Sequence, residues 1–131
     1  MPDKAVQRQY ILAAGALIAQ ERRDRKVAAL MQVAAEGRIE MILPSAVLAQ
    51  VWRGGARQVH LARTLRNPGL IEAPLRHDDA ISIGELLKDS RTTDVVDAHV
   101  AVLARRLRAP VVTSDPGDLA TLDADITLIR V

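Results

Sequence analysis

Short apolar segments alternate with segments of helical periodicity along the chain, and this alternation narrows the fold more than any other feature. Gln9 to Leu12 reads as a first strand, followed by the small-residue turn Ala14-Gly15-Ala16. A helix starts over Ala16 to Gln20, and helical periodicity continues over Val27 to Ala35, with Val27, Leu30, Met31 and Ala34 on one face. Gly37 stands where a C-terminal glycine is expected. Glu40 to Leu43 reads as a second strand. Pro44-Ser45 opens a helix that runs through Trp52 and breaks at Gly54-Gly55. Val59 to Leu65 is helical and ends at Asn67-Pro68-Gly69. A short strand follows over Leu70 to Ala73, then helices over His77 to Leu87 and Val95 to Leu107. Pro110 to Thr113 is the most strand-like segment. Leu119 to Leu122 reads as a short helix and Ile126 to Val131 as a last strand. Strands separated by helices predict a mostly parallel sheet covered on both faces. The chain has no internal repeat, low-complexity tract or linker.

Size and composition fit this class. A chain of 131 residues, 49% of them apolar, is one domain with a real core. It has no long uncharged apolar run, and Met1 to Arg8 lacks the apolar centre of a signal peptide. Cysteine is absent, which excludes disulfides and thiolate metal sites. These features point to a cytoplasmic protein with no membrane contact. The charge balance is mildly basic, 18 Lys+Arg against 16 Asp+Glu. Arginines cluster at Arg22, Arg23 and Arg25, at Arg53, Arg57, Arg63 and Arg66, and at Arg105, Arg106 and Arg108. Such clusters suit an RNA or DNA substrate through two-point phosphate pairing, and equally suit solvated helix faces. Tyr10 and Trp52 are the only aromatics, so stacking is not expected to be the main mode of recognition.

Two aspartates carry the chemistry. Asp97 belongs to the first turn of the helix that Asp94 opens, and Asp115 follows the strand Val111-Val112-Thr113. Each has a structural explanation. Asp94 and Asp97 have the spacing of a helix cap, and Asp115 before Pro116 is a good N-cap. Together they mean more. A helix of this length returns the chain to a parallel strand, so both acids reach one sheet edge, where α/β folds bind ligands. Paired carboxylates there invite a hard divalent cation. Asp118 lies one turn further on. His99, close to Asp97, is a weak candidate for touching substrate, and His60 and His77 lie on polar faces. No zinc spacing, phosphate loop or nucleophile elbow is present.

Four blocks in order give a resemblance. Ile11-Leu12-Ala13-Ala14-Gly15-Ala16-Leu17-Ile18-Ala19, Pro44-Ser45-Ala46-Val47-Leu48-Ala49-Gln50-Val51, Asp94-Val95-Val96-Asp97-Ala98 and Val112-Thr113-Ser114-Asp115 together resemble the PIN-domain ribonucleases. Within them they resemble the toxins of bacterial VapBC toxin–antitoxin pairs. The resemblance implies a three-layer α/β/α domain with a mostly parallel central sheet. It also implies an endoribonuclease whose carboxylates hold magnesium or manganese, lower the pKa of bound water and stabilise charge on the scissile phosphate. Asp97, Asp115 and Asp94 are the implied metal-binding acids, with Gln50 and Asp118 as accessory groups. The implied partners are an RNA substrate, a VapB-like antitoxin and a second copy of the chain. Trp52 and Val51 are candidates for the apolar groove that takes the antitoxin; Leu17 and Leu48 fit core better.

Two departures matter. The family ends its first strand with a metal-binding aspartate, and Ala13 stands there. Its second block carries a glutamate, and Gln50 stands there. Ala13 admits two origins: an inactivating substitution in a toxic nuclease, or degeneration into a binding-only module. Restoring one residue gives the family's usual Leu-Asp-Ala-Gly-Ala-Leu, which favours the first. Either way the chain is expected to cut RNA little or not at all while still binding it. A response-regulator receiver, which also gathers acids around magnesium, is disfavoured because Leu12-Ala13-Ala14 and Leu43-Pro44-Ser45 offer no acids.

Overall fold

The computed structural model describes residues 8–131; the polar N-terminal segment up to Gln7 lies outside them. In chain order the elements are β1 (Arg8–Leu12), α1 (Ala14–Glu21), α2 (Arg25–Ala35), β2 (Ile39–Pro44), α3 (Ser45–Val51), a single 3-10 turn (Ala56–Gln58) and α4 (Val59–Thr64). There follow β3 (Leu70–Ala73), α5 (His77–Ser90), α6 (Val95–Leu107), β4 (Val111–Thr113), α7 (Pro116–Leu122) and β5 (Leu128–Arg130). The strands form one sheet in the order β3-β2-β1-β4-β5, and every pairing is parallel. The expected mostly parallel sheet is thus wholly parallel.

The strand order fixes the layers. From β1 the chain steps to β2 and then β3 in one direction, so right-handed crossovers put α1 to α4 on one face. It then jumps back to β4 and on to β5, which puts α5, α6 and α7 on the other. The order reverses between β1 and β4, and the crevice beyond their C-terminal ends is the ligand position in such sheets. Leu12 pairs with Val112 there, and the Ala13 amide donates to the Val112 carbonyl at 3.0 Å. The central strands are apolar on both faces, as burial from two sides demands: Ile11, Leu12, Met41, Leu43, Val111 and Val112 are all buried.

One boundary differs in kind from the sequence reading. The continuous periodicity from Ala16 to Ala35 is two helices. Arg23 takes a left-handed conformation (φ 62°), and Asp24 then caps α2, accepting from the amides of Lys26 (2.9 Å) and Val27 (3.1 Å). The helix predicted from Leu119 starts at Pro116, because proline suits a first helical position. The helix from His77 runs on to Ser90.

Candidate active site

The acids converge as a sheet edge requires. Asp94 is the N-cap of α6, and its carboxylate accepts from the Asp97 amide at 2.9 Å. Its capping role is therefore real, and it leaves Asp94 exposed beside Asp97. Asp97 sits half-buried in the first turn. Asp115 occupies the N-cap position of α7 with Pro116 after it, yet its carboxylate caps nothing; its amide donates instead to Thr113 Oγ1 at 3.0 Å. The structural explanation of Asp115 accounts for its position but not for its side chain, which interacts with Asp118 instead of capping the helix. Asp118 stands exposed in the first turn of α7.

These four carboxylates feel one another. The Asp97 pKa is raised to about 6, first by burial, then by the charges of Asp94 and Asp118, with Asp115 a smaller contributor. Asp118 is raised as well, chiefly by Asp115. A cleft of about 300 Å³ lies between α6 and α7, lined by Thr92, Thr93, Asp94, Asp97, Asp118, Thr121 and Leu122. None of its lining residues is a cation. Sequence reading missed the threonines. Thr121 had a signal, since it lies three residues after Asp118 and so on the same helix face.

The family's two other acid positions are filled as the sequence states. Ala13 is 3% exposed at the N-cap of α1, where it caps nothing. Gln50 is exposed on α3 and does not line the cleft. The donor chemistry suits a hard cation, but the set is incomplete. Among the described residues no three histidine, aspartate or glutamate side chains are grouped to hold a metal ion.

Gly15 closes the site from the other side. A side chain there would overlap Ser114 Oγ, so the first turn of α1 lies directly against the loop that leads from β4 to Asp115.

His99 does not face this cleft. It is fully buried, 3.8 Å from Asp79 of α5, with no hydrogen-bond partner on either ring nitrogen. Two residues along a helix rotate a side chain by more than half a turn, which is why nearness to Asp97 in sequence misleads. Burial lowers the His99 pKa, opposed by Asp79 and aided by Arg106. Asp79, 1% exposed, accepts from Arg106 at 2.6 Å and from the Arg76 amide at 3.0 Å, tying α5 to α6. Val51 is also corrected: at 7% exposed it belongs to the core rather than to an accessible groove. Leu17 is core as expected, and Trp52 is exposed.

Comparison with known proteins follows the same lines. No protein-family model and no curated protein matches the sequence. Solved structures do match. VapC20 of Mycobacterium tuberculosis, described as a sarcin-ricin loop cleaving toxin, superposes with a TM-score of 0.70 at 17% identity, covering 93% of this chain and 99% of that one. VapBC2 of Rickettsia felis, bound to a promoter DNA fragment, gives 0.69 at 15% identity, covering 94% and 98%. A toxin–antitoxin complex of Klebsiella pneumoniae gives 0.68 at 15% identity, covering 92% and 96%. The chain carries the PIN-domain fold of the VapC toxins.

Proposed function

We propose that this chain is the toxin component of a type II toxin–antitoxin pair, built on the plan of an endoribonuclease that cleaves RNA phosphodiester bonds. One observation carries the reading: four mutually repelling carboxylates, three of them lining a cleft that has no cation in its walls, stand at the reversal point of a sheet shared with a sarcin-ricin loop cleaving toxin. Metal dependence, on magnesium or manganese, belongs to the form with aspartate at position 13, alongside Asp97, Asp115 and Asp94. In the chain as written Ala13 supplies no donor, the acids do not fit a closed metal site, and no hydrolytic step is assigned to them. No helix among the described residues is long and apolar enough to cross a membrane. Similarity to VapBC2 and to the Klebsiella complex supports a VapB-like antitoxin as partner; the family resemblance supports a homodimer in the cytoplasm.

The incomplete acid set favours a second reading, a PIN-like module that binds RNA or protein without cutting. One experiment separates the two. The chain and its Ala13→Asp variant are incubated with total cellular RNA, with magnesium or manganese and with chelator. Cleavage by the aspartate form alone, abolished by chelator, supports a nuclease silenced at position 13. Binding without cleavage by either form supports the module.

A further inference from the structure

Between Glu40 and Glu72 the sequence has no aspartate or glutamate, yet it holds Arg53, Arg57, Arg63 and Arg66. This stretch is the limb made of α3, the 3-10 turn and α4. Arg57, Arg63 and Arg66 are exposed and pair with no carboxylate among the described residues. Arg53 folds back onto the carbonyls of Ala49 and Trp52. A groove of about 310 Å³ extends the limb, with His60, Arg63 and Arg66 in its lining and no acid. Uncompensated arginines along one limb suit a polyanion.

Trp52 heads this limb and is 39% exposed. The backbone around it is fixed. Gln58, itself buried, accepts from the amides of Arg53 (2.6 Å) and Gly54 (2.7 Å) and donates to the Val51 carbonyl (2.9 Å). Gly54 and Gly55 adopt φ of 77° and 83°, and a side chain on Gly55 would meet nothing within 4 Å. A flat, partly exposed ring on a fixed backbone, carried by the same limb as the arginines, can stack a base at little ordering cost. The limb also starts at the right place. α3 leaves the C-terminal end of β2 and packs on α1 and on α6, the latter one of the two helices that line the acid cleft.

We propose that the Trp52 loop is a stacking subsite for an unpaired nucleobase of RNA, with Arg57 and Arg63 receiving the flanking phosphates. The assignment rests on the ribonuclease reading and narrows its substrate to single-stranded RNA. Ile18 and Val59 are exposed too and would be covered by a peptide partner; the acid-free run of arginines favours nucleic acid.

Trp52 is the chain's only tryptophan, so its emission reports on this loop alone. The chain is titrated with a fluorescein-labelled single-stranded 12-nucleotide RNA, with a duplex of the same length and with poly-glutamate. RNA binding is read by anisotropy and stacking by Trp52 quenching. Single-stranded RNA is expected to quench Trp52 with the midpoint seen by anisotropy, duplex RNA much less. Trp52→Ala is expected to weaken single-strand binding roughly tenfold, Trp52→Tyr to restore most of it, and Arg57→Gln to lower the slope of log K on log salt by about 0.7. If RNA binds while Trp52 emission stays unchanged and Trp52→Ala binds as well, this assignment falls and the ribonuclease reading stands. If RNA does not bind, both fall. Equal quenching by poly-glutamate makes the loop a surface for acidic proteins and overturns the assignment.

Discussion

Ser114 fills the space that a side chain on Gly15 would need. An added Cβ would overlap Ser114 Oγ and lie 3.1 Å from its Cβ and 3.3 Å from its amide nitrogen. The two halves of the reversal point therefore touch through one glycine and one serine. Alanine at position 15 gains about 1 kcal/mol of helix propensity. Overpacking costs about 1–3 kcal/mol, so the clash wins. Gly15→Ala is expected to destabilise by about 1 kcal/mol, and Ser114→Gly to rescue it. Urea unfolding of the four-member cycle checks this; additive effects would show that the contact carries no strain.

Asp97 makes stability depend on pH. Its pKa rises from 3.8 to about 6 on folding, so the folded chain holds more protons between those values. Stability therefore falls as pH rises through that window, and the full penalty stands above it. Asp97→Asn is expected to stabilise the chain at pH 7.5 by about 1 kcal/mol, allowing for solvent screening of a half-exposed group. The gain should vanish near pH 4. A gain that is equal at both pH values would refute the repulsion.

His99 acts in the opposite sense. Burial lowers its pKa, so the unfolded chain takes up protons below the ordinary histidine value and the folded chain resists. Its contribution is fully present above that value and is lost as pH falls, at up to about 1.4 kcal/mol per pH unit. His99→Leu removes two unpartnered nitrogens, and is expected to melt near the parent temperature at pH 7.5 and above it at pH 5. Melting curves at the two values decide.

Gln58 holds three backbone groups. Gln58→Ala leaves the Arg53 and Gly54 amides and the Val51 carbonyl without their partner. The expected cost is about 2 kcal/mol. Time-resolved anisotropy of Trp52 is expected to show a fast component that the parent lacks.

On the proposed nuclease reading, an aspartate at position 13 is expected to restore divalent binding. Ala13 holds the N-cap position of α1 without capping it, and its amide donates to Val112 of β4, so an aspartate there is expected to cap α1 and add a carboxylate beside β4. Magnesium at tenfold its dissociation constant would then stabilise the Ala13→Asp form by about 1.4 kcal/mol, with little effect on the parent. Equal melting shifts in both chains would remove position 13 from the metal site.

Much of this protein was written locally. The strand at Leu70–Ala73 and the helix at Val95–Leu107 match the sequence reading residue for residue, because each is bounded by a strong local signal: Asn67-Pro68-Gly69 before one, Asp94 before the other. The gathering of Asp97 and Asp115 at one edge was also legible, since a helix followed by a parallel strand leaves little choice. The break at Arg23 was not. Its cap, Asp24, lies in the polar run Gln20 to Lys26, where no apolar residue marks a buried helix face and a turn and a solvated helix read alike.

The sequence alone determined the alternation of elements, the parallel sheet and the acid edge, because propensity, capping and spacing are properties of neighbouring residues. Tertiary structure decided what those residues face. It placed the strand reversal between Ala13 and Asp115, brought Asp118 and Thr121 into the cleft, sank His99 beside Asp79 and left Trp52 in solvent. Such outcomes depend on which helix face meets which layer, and that is fixed only when the whole core packs.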